Sequence, residues 1–497
     1  QSRWVPTLAL ASTMALLWVA VLLLQAQAGS VQVYLLGNWL APWGIALALD
    51  RLSALMLLLT ALVALASLVY ALGGDDRKGL HFHALLQFQL MGINGAFLTA
   101  DLFNLFVFFE VLLAASYGLL LHGASLERLK ASVHYVAFNL AGSTLFLVAV
   151  SLLYALTGTL NMADLAVKLP QLGAENARLA QAAVLLLVVV FGVKAALLPL
   201  YFWLPATYAA ATAPVAALFA IMTKVGVYAI VRVSTLWTSH SDGNGEVGLA
   251  GLLTPALPLL ALATLVLAAI GALAARRLRA LVAYLVVASA GTLLLAIGLG
   301  TEQTLAAGLF YLVNSTLMAC LWFLLADRIS LARGGDDALS PRQLQQGWAV
   351  LGALFFVASV AIAGIPPLAG FLGKALLLQA AGRTPLAGWV VSTVLASSLL
   401  IMVALARAGA QLFWTPGARA IVPVEQPARV HKAAIASLLA LVLAATVFAG
   451  PLQTYAQVTA QQLTQRQPYI NAVLGAQAVS PAFDVRREMR ERGELNK

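Results

Sequence analysis

Nearly uncharged apolar runs of about twenty residues recur along the chain. A backbone inside lipid must satisfy its own hydrogen bonds, so such runs become spanning helices or strands of a closed barrel. Barrel strands alternate in polarity with period two. Ala183–Phe191 (AVLLLVVVF) is continuously apolar, which excludes that alternative. Only 10% of the 497 residues are charged and 62% are hydrophobic, against roughly 25% charged in a globular protein. A water-soluble domain is excluded, and the expected fold class is an all-α polytopic membrane protein.

Thirteen spans are expected, at roughly 4–27, 50–72, 81–100, 101–121, 130–157, 181–203, 212–236, 250–274, 278–299, 303–326, 348–380, 386–414 and 433–456. Asp101 marks a tight turn between two of them. Polar or Gly/Pro-rich stretches separate the others, none long enough for a soluble domain. The tail from about 457 turns polar, and its end, Arg486–Lys497, reads as solvated helix or disorder. The chain starts at Gln1, and its first run has spanning length rather than that of a signal-peptide core, so an upstream helix is expected.

The net charge of +10 does not indicate nucleic acid once it is sorted by loop. If successive loops face alternate sides, one side collects fifteen Lys and Arg, from Arg3 to Lys432. The other collects four: Arg51, Lys168, Arg178 and Arg383. This is a positive-inside pattern. It places the basic side in the cytoplasm and the C-terminus outside.

Four basic residues remain within spans. Arg232 lies near a helix end and is expected to snorkel. Lys194, Lys224 and Lys374 are deeper, as is Glu110. Lys194 lies about eleven residues into its span, about 16 Å at 1.5 Å per residue and near the middle of a hydrocarbon layer of about 30 Å. A charge at that depth costs at least ~2.5–3.5 kcal/mol and normally marks an ion or proton path. One carboxylate cannot pair three lysines. A lysine held between burial, which disfavours charge, and a carboxylate, which favours it, can exchange protons. A static ion pair that only fixes helix packing is the alternative.

The helix breaks coincide with these lysines. Lys194 is followed by Pro199 and Pro205, and Lys374 is preceded by Gly364, Pro366, Pro367, Gly370 and Gly373. Proline removes a backbone hydrogen bond, and in a membrane such a break requires protein or water around it. The breaks fall on the sixth and eleventh spans. An odd separation of five gives them opposite orientation, the pattern of two inverted five-helix repeats. The expected divisions are 1–80 (N-terminal spans), 81–237 (first repeat), 250–414 (second repeat) and 432–497 (last span and tail).

Other polar residues within spans, Asn104, Ser289, Asn314, Ser315 and Thr316, are more often helix-packing hydrogen bonders than relays. The six histidines lie at or near span ends, so no metal site is expected in the membrane, although His81 and His83 could share a surface ion. Cys320 is the one cysteine. Nucleotide, haem and iron–sulfur spacings are absent, so no cofactor is expected.

The segments DLFNLFVFFE (101–110), FGVKAALLPLYFWLP (191–205), IMTKVGVY (221–228) and IPPLAGFLGK (365–374) resemble the antiporter-like subunits of complex I and of Mrp-type multisubunit cation/proton antiporters. The likeness runs over nearly the whole chain. Residues 81–113 most resemble the D-type subunits of the Mrp group.

The resemblance implies fourteen spans with one N-terminal helix absent here, and a bacterial inner-membrane location. It implies a relay through Glu110, Lys194, Lys224 and Lys374, with Ser289 and Asn314 as possible support. Relatives carry a histidine and a lysine where Asn314 and Ala319 stand. Asparagine does not titrate, so water must cover more of the gap between Lys224 and Lys374. The implied function is that of a secondary transporter component, not an enzyme. It would handle protons in exchange for a monovalent cation, with Na+ expected, alongside other subunits in the lipid bilayer. A proton-pumping subunit of a complex I-type or hydrogenase-type respiratory oxidoreductase is the alternative.

Overall fold

The computed structural model describes residues 4–26, 29–237, 249–341, 348–414 and 428–478. Helix α1 (Trp4–Ala26) is followed by a small antiparallel hairpin, β1 (Gln32–Leu35) and β2 (Ala46–Leu49), with Gln32 opposite Leu49. Helix α2 (Arg51–Ala71) starts where the Asp50 carboxylate accepts the Ser53 amide at 2.8 Å. The hairpin departs from the all-α expectation. Its short run lies between two long apolar ones and carries no strand-like alternation.

A first series follows: α3 (Phe82–Leu98), α4 (Leu102–Leu121), α5 (Leu126–Thr157), the short α6 (Met162–Lys168), α7 (Ala174–Ala195), α8 (Trp203–Ala210) and α9 (Ala213–Trp237). Helix α3 ends at Leu98, and Asp101 caps α4, accepting the Asn104 amide at 2.8 Å. The second series is α10 (Leu249–Ala274), α11 (Leu278–Gly298), α12 (Glu302–Ala332), α13 (Trp348–Ala363), α14 (Ala369–Ala381) and α15 (Ala387–Gly409). The chain closes with α16 (Arg429–Val447), α17 (Ala449–Thr464) and α18 (Arg466–Leu474).

Eleven helices among the described residues are long and apolar enough to cross a membrane. The two other expected spans fall at α3, of 17 residues, and at the interrupted pair α13 and α14. Helix α7 begins at Ala174 rather than near 181, because its polar first turns are already helical. It ends at Ala195, so Lys194 stands at the C-terminal end of a helix and not midway along one. Beyond α16, α17 packs on α12, and α18 packs on α6 and β1. Loop residues 415–427, His240 and Arg486–Lys497 lie outside the described residues.

The centre of the molecule is α9 and α12, buried along their whole spanning windows. Helices α1, α15 and α16 lie outside, turning side chains such as Trp18, Leu399 and Val447 outward. Packing repeats between the series: α3 on α4 and α10 on α11, α4 on α5 and α11 on α12, α3 on α9 and α10 on α15. In each series the fourth long element is the broken one.

Loops make contacts with one another on two faces. On one, Arg277 bonds Glu127 and, at 2.8 Å, Asp337, while Arg407 donates to the Ala275 carbonyl. On the other, Asp101 bridges Asn161, and the Trp237 indole donates to the Met162 carbonyl at 3.0 Å.

Candidate functional site: a buried polar track

Helix α5 carries two polar residues one turn apart on a single face, Asn139 and Ser143. Ser143 donates its hydroxyl to the Glu110 carboxylate on α4. Lys194 on α7 donates to the Asn139 side-chain oxygen at 3.1 Å and reaches its carbonyl at 3.4 Å. The ammonium also lies 5.9 Å from the centre of the Phe109 ring. Glu110 and Lys194 are thus not a direct ion pair: α5 stands between them and supplies a neutral partner to each.

Lys224 lies on α9, two residues before Gly226. A Cβ at Gly226 would come within 2.6 Å of the Ala195 amide, so glycine is what allows α9 to press against the end of α7. This brings the two lysine-bearing segments together. Lys224 is fully buried and donates to Ser289 Oγ on α11 at 2.9 Å. Ser289 passes its own hydrogen to the Val286 carbonyl at 2.8 Å. Lys374 on α14 is 9% exposed. It donates to the Ala363 carbonyl at 2.8 Å and to Ser398 Oγ on α15 at 3.0 Å. Among the described residues no carboxylate stands within 4.0 Å of any of the three lysines.

The breaks match residue for residue at an offset of 168. Ala196 and Gly364 have positive φ, 59° and 80°. The amides of Leu197 and Ile365 reach back to the carbonyls of Gly192 and Val360. Pro199 and Pro367 follow, both after cis peptide bonds. Groups freed at each break find partners on other elements. Thr264 on α10 accepts the Leu198 amide at 2.9 Å, and Thr446 on α16 accepts the Ala369 amide at 3.0 Å. The Val193 carbonyl accepts the Trp203 indole at 3.1 Å, and the Ala363 carbonyl accepts Lys374.

The two lysines do not match in that register. Lys194 precedes its break and Lys374 follows its own. Position 206, where a counterpart of Lys374 would stand, is Ala206, and position 362, facing Lys194, is Ile362.

Arg232 does not snorkel. It is buried, with a guanidinium nitrogen 2.5 Å from Asp50, a second 2.9 Å from the Tyr228 hydroxyl, and the Tyr469 ring centre 5.0 Å away. The sequence alone points Arg232 to the lipid surface because its partner, Asp50, is 182 residues distant in the chain. Burial works to raise the Asp50 carboxyl, but the Arg232 charge and hydrogen bond, with the Ser53 amide, outweigh it and hold the group below its usual range. The cluster ties α2, α9 and α18 together.

His83 is buried against Asp76 at 3.2 Å, while His81 is exposed, so the two do not share a surface ion. Among the described residues no three His, Cys, Asp or Glu side chains are grouped so as to hold a metal. Asn314 and Ser289 both line one small cavity between α11 and α12. Asn104 bonds Thr99 at 3.0 Å, and Ser315 and Thr316 bond the Leu312 carbonyl, as packing groups do. Sequence reading does not single out Asn139, Ser143, Ser398, Thr264 or Thr446. The i, i+4 spacing of Asn139 and Ser143 is the one available signal.

The family model described as NADH:quinone oxidoreductase/Mrp antiporter, TM, matches residues 99–401. The D subunit of a probable K(+)/H(+) antiporter of Rhizobium meliloti (strain 1021) is 42% identical, over 89% of this chain and 86% of its own. The D subunit of a Na(+)/H(+) antiporter of Bacillus subtilis (strain 168) is 36% identical, over 89% and 88%. Among solved structures, a chain of the Mrp complex from Dietzia sp. DQ12-45-1b superposes with a TM-score of 0.83 at 27% identity, covering 95% of both chains.

Proposed function

The chain belongs to the NADH:quinone oxidoreductase/Mrp antiporter transmembrane family, among its D-type antiporter subunits, and from that premise we propose that it carries protons through a multisubunit monovalent cation/proton antiporter. The path runs Glu110, Lys194, Lys224, Lys374, with Ser289 and Asn314 in support. One observation carries this reading: three lysines are buried in the spanning region, and each ends on a neutral oxygen instead of a carboxylate. A hydrogen bond to a charged group is worth roughly 1.5–3 kcal/mol. That is close to the ~2.5–3.5 kcal/mol that insertion of the charge costs. Neither protonation state is locked, as it would be in a buried ion pair.

The cation is Na+ or K+, the two that the relatives' names give, with Na+ the expectation from sequence. Residues 81–237 and 250–414 act as inverted repeats, supported by breaks on their fourth long elements. The basic loops face the cytoplasm of a bacterial inner membrane, and the C-terminus lies outside, supported by the fifteen-to-four charge sorting.

The test is to purify the assembled complex through this chain, identify its partners, and reconstitute it. Exchange of protons for Na+ or K+ without any redox substrate is expected. Co-purifying flavin or iron–sulfur subunits, with proton movement only during electron transfer, would establish the respiratory alternative instead.

A further inference from the structure

Between the Lys224 and Lys374 sites lie two small cavities. One, of about 10 Å³, is bordered by Ser289, Asn314 and Ser315. The other, also about 10 Å³, is bordered by Lys374, Ser398 and Thr292. Each has room for about one water. Both are polar enough to hold it, and in the first the Asn314 side-chain oxygen is buried without a partner among the described residues. The cavities share three lining residues, Leu285, Tyr311 and Ile362. Of these only Tyr311 carries a group able to accept and donate a hydrogen bond.

Tyr311 lies on α12, packed against α14 so closely that a Cβ at Gly373 would stand 3.1 Å from its own Cβ. Its ring is buried, and its hydroxyl bonds Thr292, which borders the second cavity. We propose that the Tyr311 hydroxyl is the step by which a proton crosses from the Ser289–Asn314 cavity to the Lys374–Ser398 cavity. The inference rests on the relay proposed above. A proton from water in the first cavity bonds to the phenolic oxygen as the phenol's own proton leaves for water in the second. The hydroxyl is regenerated, the ring gains no lasting charge, and rotation about the C–O bond resets it. Asn314, which does not titrate, thereby has a proton-passing neighbour one turn away on the same helix.

The experiment compares Tyr311→Phe, Tyr311→His and Lys374→Ala in the reconstituted complex, with assembly and thermal stability measured for each. Phenylalanine keeps the ring and its packing but removes the hydroxyl. Exchange in Tyr311→Phe should fall at least about tenfold with assembly and stability unchanged. Tyr311→His, which returns a donor and an acceptor to that place, should be clearly faster than Tyr311→Phe. A Phe variant at the wild-type rate, or a His variant no faster than the Phe variant, would overturn the proposal provided Lys374→Ala is inactive. Full exchange in Lys374→Ala would overturn the relay itself, and this step with it.

Discussion

Asn139 and Ser143 hold Lys194 and Glu110 from the same face of α5, so the proposed coupling of carboxylate and lysine would run across a helix and not by contact. Removing the carboxylate's charge should still unbalance the site. Glu110→Gln, measured in vesicles holding the assembled complex, is expected to lower exchange by at least roughly tenfold, the effect of about one pKa unit. An unaltered rate would remove Glu110 from the path. The Asp50–Arg232 pair answers to stability instead. Arg232→Ala leaves a buried carboxylate alone and should cost on the order of 3–5 kcal/mol, read as a lower melting temperature in detergent. Because the Asp50 carboxyl is depressed in the fold, its contribution is present above about pH 3.9 and is lost as pH falls through the lower folded value. At this scale the ionisable members of the track were legible, since charge is rare in these runs. Their neutral partners were not, because one Asn or Ser in an apolar helix looks the same whether it packs or holds a lysine.

Elements place the track by being interrupted. Helix α7 ends at Ala195 and α13 at Ala363, and each break is closed by a threonine from another helix, Thr264 or Thr446. Single cysteines around Lys194 and Lys374, in a Cys320→Ser background, should react with small polar thiol reagents, because freed backbone groups in a membrane need water or protein partners. Uniform inertness in an assembled complex would mean that protein alone fills both breaks. The Pro and Gly clusters announced these breaks in the sequence. The sequence also puts Lys194 before its prolines and Lys374 after its own; the positive φ at Ala196 and Gly364 that opens each break is seen only in the backbone. The β1–β2 hairpin went unread for a related reason: four-residue strands leave too short a pattern to stand out between spans.

Across the whole molecule, buried α9 and α12 form the wall along which Lys224, Tyr311 and Asn314 are strung, between the Glu110–Lys194 end in the first series and Lys374 in the second. Sequence carried the helical architecture, because hydrophobic length is summed over many residues. The contacts joining distant segments, such as Asp50 with Arg232 or α17 with α12, depend on tertiary packing and left no local trace. Lys224 is the member that tests the continuous path most directly. It is fully buried, lies between the two ends, and has a neutral partner in Ser289. Lys224→Met keeps an unbranched side chain while removing the ammonium. The measurement is cation-driven proton exchange by the complete reconstituted complex carrying this substitution, with assembly verified. Loss of exchange in an intact complex is the predicted result; exchange at the wild-type rate would contradict a relay running through this chain.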